Sequence, residues 1–88
     1  MGNADPDPGT TFQIFPNPAE KELHFLAEEG PLPLSVQLFD LTGKMVRQET
    51  WPKGERRLNL DLTGLRNGFY VARINLKDGL YCHRFLKE

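Results

Sequence analysis

The sequence has one cysteine, one serine, two histidines and no long apolar run, and each scarcity removes a class of chemistry. A single cysteine, Cys82, forbids an internal disulfide and leaves the cellular compartment open. As a small hydrophobe it is expected in or near the core. Ser35 is the only serine; it sits in a strand-like segment without a G-x-S-x-G elbow, so nucleophilic hydrolysis has no starting point. His24 and His83 are too few for a zinc site, which needs three or four convergent ligands, and they read as surface residues. No Asp-rich loop has calcium-ligand spacing. Cys82 and His83 are adjacent, but neighbours on a strand point to opposite faces, so neither a thiolate pair nor a shared metal follows. No helix follows Gly64, Gly68 or Gly79 to lend its amino terminus to a phosphate, and these glycines read as turn residues. No cofactor is expected. Nor is a membrane span, since a spanning helix needs about 20 apolar residues. The opening Met1-Gly2-Asn3-Ala4-Asp5-Pro6 lacks the regions of a signal peptide, and Pro6 stands where a myristoylation signal needs Ser or Thr.

What is present is the material of one small globular domain. Eighty-eight residues, 39% hydrophobic and 26% charged, suffice for a modest core. A net charge of -1 gives no field for nucleic acid, and none is expected as a partner. The charge is nevertheless uneven. Residues 1–43 carry seven acids and one base, and residues 44–88 carry ten bases and five acids. Strand pairing between the halves is expected to interleave these charges into ordinary solvated faces.

Residues 1–11 are polar and rich in Pro and Gly, and read as a flexible linker from an upstream domain, with the folded domain spanning 12–88. Phe12 to Phe15 is a short strand stopped by Pro16-Asn17-Pro18, because proline lacks an amide donor and biases its predecessor away from the helical region. Lys21 to Leu26 alternates, with Leu23 and Phe25 inward and His24 outward, and Leu34 to Leu38 alternates in the same way. Thr42-Gly43 forms a second turn before a strand running from Met45 to Trp51. Leu58, Leu60 and Leu62 alternate with Asn59 and Asp61, giving one buried face and one wet face.

The last strands are the best marked. Tyr70, Ala72, Ile74 and Leu76 share one parity, with Arg73 and Asn75 on the other. Asp78-Gly79 is expected to supply a positive-φ hairpin turn, after which Leu80 to Leu86 folds back. Seven short strands with regular turn signals and no helical periodicity predict an all-β, seven-stranded, immunoglobulin-like antiparallel β-sandwich. Its core should contain Leu23, Phe25, Val36, Leu38, Leu60, Tyr70, Ile74 and Phe85. Trp51, Tyr70 and Tyr81 could form a sugar-stacking platform, but strand aromatics more often serve as core or cross-strand partners.

Four segments carry a family resemblance. They are Phe15-Pro16-Asn17-Pro18, the hairpin Asp40-Leu41-Thr42-Gly43-Lys44, the strand entry Leu65-Arg66-Asn67-Gly68-Phe69-Tyr70 leading to Arg73, and the terminal Arg84-Phe85-Leu86-Lys87. In this order they resemble the type A C-terminal sorting domain of the type IX secretion system of Bacteroidetes. The resemblance implies a non-enzymatic signal that follows an upstream cargo domain. Cargo would enter the periplasm, the folded domain would be read by the outer-membrane type IX machinery, and a sortase-like surface protease would remove it, leaving the cargo secreted or on the cell surface. Cleavage is expected upstream of Phe12, in or just before residues 1–11. Gly68, Tyr70, Arg73, Arg84, Phe85 and Lys87 are the expected recognition residues, and Pro16, Asn17, Pro18, Gly43, Asp78 and Gly79 the structural turns. The rival reading is a non-catalytic immunoglobulin-like binding or adhesion module with a carbohydrate or protein ligand, or the immunoglobulin-like part of a flagellar-hook capping protein.

Overall fold

A computed structural model describes residues 10–88. Seven strands account for its regular structure, in the order β1 (Thr11–Phe15), β2 (Glu22–Glu29), β3 (Ser35–Asp40), β4 (Met45–Thr50), β5 (Arg57–Asp61), β6 (Gly68–Leu76) and β7 (Gly79–Lys87). They form two antiparallel sheets, β1-β2-β5 and β4-β3-β6-β7. This is the expected immunoglobulin-like sandwich, with β4 paired to β3 rather than to β5 as in the constant-type arrangement. β1 opens one residue earlier than the sequence suggests, and Thr10 before it is buried, its hydroxyl donating to the Pro31 carbonyl at 2.7 Å. The rest of the expected linker lies outside the described residues.

Two-residue periodicity fills the space between the sheets. Leu23, Phe25 and Ala27 of β2 and Leu58 and Leu60 of β5 enter from one side. Val36 and Leu38 of β3, Tyr70, Ala72, Ile74 and Leu76 of β6, and Phe85 of β7 enter from the other. All eight expected core residues are buried. Trp51 seals one end, its indole Nε1 donating to the Glu55 carbonyl at 2.7 Å, so the one polar atom of a buried ring is satisfied. Arg47 ties the sheets together at the β4 and β5 edges, donating from one guanidinium to the carbonyls of Thr63 (2.6 Å), Val46 (2.9 Å) and Asp61 (3.3 Å).

Several expectations need correction. Cys82 is exposed: the register sets it opposite Arg73, on the outward parity of β7, because Tyr81 and Phe85 take the inward one. That same parity carries His83 inward, opposite the fully buried Ala72. His83 is half-buried rather than a surface residue, and its Nε2 is buried with no hydrogen-bond partner among the described residues. Burial disfavours the charged ring and lowers its pKa. Leu34 is exposed because β3 begins only at Ser35; its backbone accepts from Trp51 and donates to Asn75, which holds the side chain outside the layer. Gly79 has no positive φ. It is the first residue of β7, opposite Leu76, so Lys77 and Asp78 are the two turn residues and Gly79 takes the fourth position, a favoured glycine position in ordinary turns.

Candidate recognition surface

Each of the four sequence motifs has an identifiable task in the fold. In the Pro16-Asn17-Pro18 corner, where both proline bonds are cis, Asn17 Oδ1 accepts from the Leu86 amide at 3.0 Å. Ala19 then donates to the Leu86 carbonyl and accepts from the Glu88 amide, both at 2.8 Å. The corner thus closes the open edge at the end of β7, where backbone groups would otherwise lack partners. Sequence reading gives Asn17 only as a turn residue; its link to a strand 69 positions away was not visible there.

The β3-β4 hairpin is built on one carboxylate. Asp40 Oδ1 accepts from the Thr42 hydroxyl (2.6 Å), the Thr42 amide (2.9 Å) and the Lys44 amide (3.0 Å), while Gly43 takes φ +89°, a conformation that side chains disfavour. The Thr42 hydroxyl foremost, with the Lys44 amide, lowers the Asp40 pKa. Asp61 is held low by Thr63 in the same way.

At the start of β6, Tyr70 is buried and its hydroxyl donates to the Arg66 carbonyl at 2.6 Å. This is the tyrosine corner of immunoglobulin-like sandwiches, in which a tyrosine near the start of the penultimate strand ties down the loop before it. Gly68, two residues earlier, has φ +145° and lets the chain enter β6. Tyr70 also stacks on Phe85 of β7, with ring centroids 5.9 Å apart. Lys87 pairs with Gly68 and bridges Ala19, and its ammonium lies 3.5 Å from the Glu88 carbonyl oxygen.

The six expected recognition residues therefore do not share one surface. Tyr70 and Phe85 lie inside, Gly68 and Lys87 sit at the end of the β6-β7 pair, and Arg73 and Arg84 face outward. The outward pair belongs to a group that sequence reading did not assemble. Arg73 lies over the ring of Phe39 (5.6 Å to the centroid), and Arg84 over that of Phe69 (4.6 Å). Phe39, Val71 and Arg84 fall in one cross-strand row, and Phe69 is 44% exposed. The parity of Phe69 with Arg73 was legible in the chain, but the β3-β6 pairing that brings Phe39 beside them was not.

On the other side of the molecule, Pro16, Pro18, Glu22, His24 and Asp61 line an open groove. His24 Nδ1 lies 2.6 Å from Asn59 Oδ1, and its Nε2 lies 3.5 Å from Glu22. Among the described residues no three His, Cys, Asp or Glu side chains converge as metal ligands. No described helix is long and apolar enough to cross a membrane.

Residues 13–88 match the family described as secretion system C-terminal sorting domain. No curated protein matches the chain. Among solved structures, the chain is similar to CopC from Methylosinus trichosporium OB3b, with 22% identity, 88% of this chain and 91% of that one covered, and a TM-score of 0.54. It is also similar to the sulfur carrier protein SoxY from Chlorobium limicola f thiosulfatophilum, with 13% identity, 93% and 79% coverage, and a TM-score of 0.52. At these identities the likeness is one of fold.

Proposed function

The chain belongs to the secretion system C-terminal sorting domain family, and from that premise we propose that it serves as the export signal of a longer protein. Sorting domains of the type IX system mark proteins that are secreted or attached to the cell surface. On this reading an upstream cargo domain reaches the periplasm, and the folded sandwich engages the outer-membrane machinery. A sortase-like surface protease then cuts in or just before residues 1–11. The domain performs no reaction of its own; any activity belongs to the cargo.

The observation that carries this reading is the family match over residues 13–88. Two features of the fold support a signal that is read when folded. The sequence motifs serve to close and pin the sandwich, as Asn17, Asp40 and Tyr70 do. The remaining expected residues on the strand faces, Arg73 and Arg84, point to solvent, where another protein can reach them.

The test is a fusion of the full chain behind a periplasmic reporter in a host with a type IX system. The reporter should appear outside the cell, with a mass that ends upstream of Phe12. A truncation lacking Leu80 to Glu88, which removes β7, should stay in the periplasm. Retention of the full fusion would overturn the export role, and a secreted reporter that keeps all 88 residues would overturn the cleavage step.

A further inference from the structure

The two outer faces of the sandwich differ in charge. On the β1-β2-β5 sheet the outward positions include Glu22, Glu28 and Asp61 against a single cation, Arg57. On the β4-β3-β6-β7 sheet, the register puts no Asp or Glu at any outward position and includes two cations, Arg73 and Arg84. Neither arginine has a carboxylate partner among the described residues. The same face leaves Met45 45%, Phe69 44% and Leu80 42% exposed.

We infer that this outward face, centred on Arg73, Val71 and Arg84 and flanked by Phe39 and Phe69, docks a protein surface presenting carboxylates among apolar side chains. The inference rests on the sorting reading, for which it names the chemistry of the partner. A guanidinium attracted to the face of a ring still has N–H donors to offer, and their planar fork matches a carboxylate. Arg73 uses only Nε locally, 3.3 Å from Asn75 Oδ1, which leaves its terminal nitrogens for such a partner. The ring contacts also restrict both side chains before the partner arrives, which reduces the ordering penalty of binding. Exposed Phe69 and Met45, with half-buried Phe39 and Val71, supply the apolar contact that gives a protein interface its area. Anionic lipid or phosphate polymers fit this face less well. They are bound by clusters of about four to eight cations, and here two stand in an apolar field.

The test uses the 88-residue chain in two settings. In the reporter fusion, R73E/R84E should reduce secretion by about tenfold or more, with the thermal melt of the isolated chain retained, whereas the opposite-face control E22K/E28K should stay within about twofold. Secretion of R73E/R84E at the wild-type level would overturn the docking face while leaving the sorting role intact. If the wild-type fusion is itself retained, the sorting role fails, and the binding measurement alone decides the face. In that measurement the labelled chain is titrated with an acetylated peptide of alternating Asp and Leu, with inorganic phosphate, and with phosphatidylglycerol vesicles. The peptide should shift the amides of residues 69–73 and 82–86, and R73E/R84E should abolish those shifts. Shifts from phosphate or vesicles with none from the peptide would overturn the inference. So would a dimer in sedimentation that R73E/R84E dissolves, since the occupant would then be a second copy.

Discussion

The inner and outer sides of the β6-β7 pair show how the same strands divide labour. Inward, Tyr70, Ala72, Ile74 and Phe85 are buried against the other sheet, and Tyr70 also anchors the preceding loop. Outward, Phe69, Val71, Arg73 and Arg84 form a half-exposed layer of rings and cations that nothing in the described chain covers with opposite charge. One-residue alternation therefore separates residues that hold the fold from residues that form its outer face. A motif can span both, as Arg84-Phe85 does, with adjacent side chains assigned to opposite tasks.

Truncation on either side of the strand pair tests that division most severely. Phe85→Ala should lower stability by about 3–5 kcal/mol, because a fully buried ring leaves a cavity. Phe69→Ala, 44% exposed, should change it by less than about 1 kcal/mol; chemical denaturation of both variants decides. Equal losses would break the comparison. Next in size is Gly68→Ala. No atom lies within 4 Å of an added Cβ, so the expected loss of about 1–3 kcal/mol comes from φ +145° alone. Retained stability would show that β6 can be entered by another backbone path. Tyr70→Phe keeps the ring and removes the bond to the Arg66 carbonyl, so a loss of about 1 kcal/mol should appear in the melt, together with faster amide exchange in residues 63–67.

The smallest effect concerns pH. His83 has a folded pKa below its unfolded value, so the unfolded chain binds more protons between the two. Its contribution is fully present above the unfolded pKa near 6.5 and declines as pH falls from there through the lowered folded value. His83→Leu should remove this part of the acid sensitivity, seen as a flatter dependence of melting temperature on pH between 7 and about 5. An unchanged slope would show that His83 is solvated in both states.

Much of the fold was legible because alternation is strong where one face is apolar. Leu23 and Phe25, Leu58 and Leu60, and Tyr70 through Leu76 each defined a strand and its buried side. β7 was the weak case. In Leu80 to Leu86 both parities hold apolar residues, so neither Cys82 nor His83 could be placed by pattern alone, and both were expected on the wrong side. The candidate surface was legible only in part. Arg73 and Arg84 stood out as strand cations, but their ring partners follow from pairing and packing in the folded sheet.

The sequence by itself determined the seven strands, the turns at Pro16-Asn17-Pro18 and Gly43, and most of the buried face, since these rest on local periodicity and local backbone chemistry. Tertiary structure decided the rest. It sent β5, from the base-rich half, to the sheet of β1 and β2, and β3, from the acid-rich half, to that of β6; the register then turned Glu22, Glu28 and Asp61 outward on one sheet and Arg73 and Arg84 outward on the other. The reason is that strand order depends on pairings between distant segments, whose side chains meet only after the chain has closed on itself.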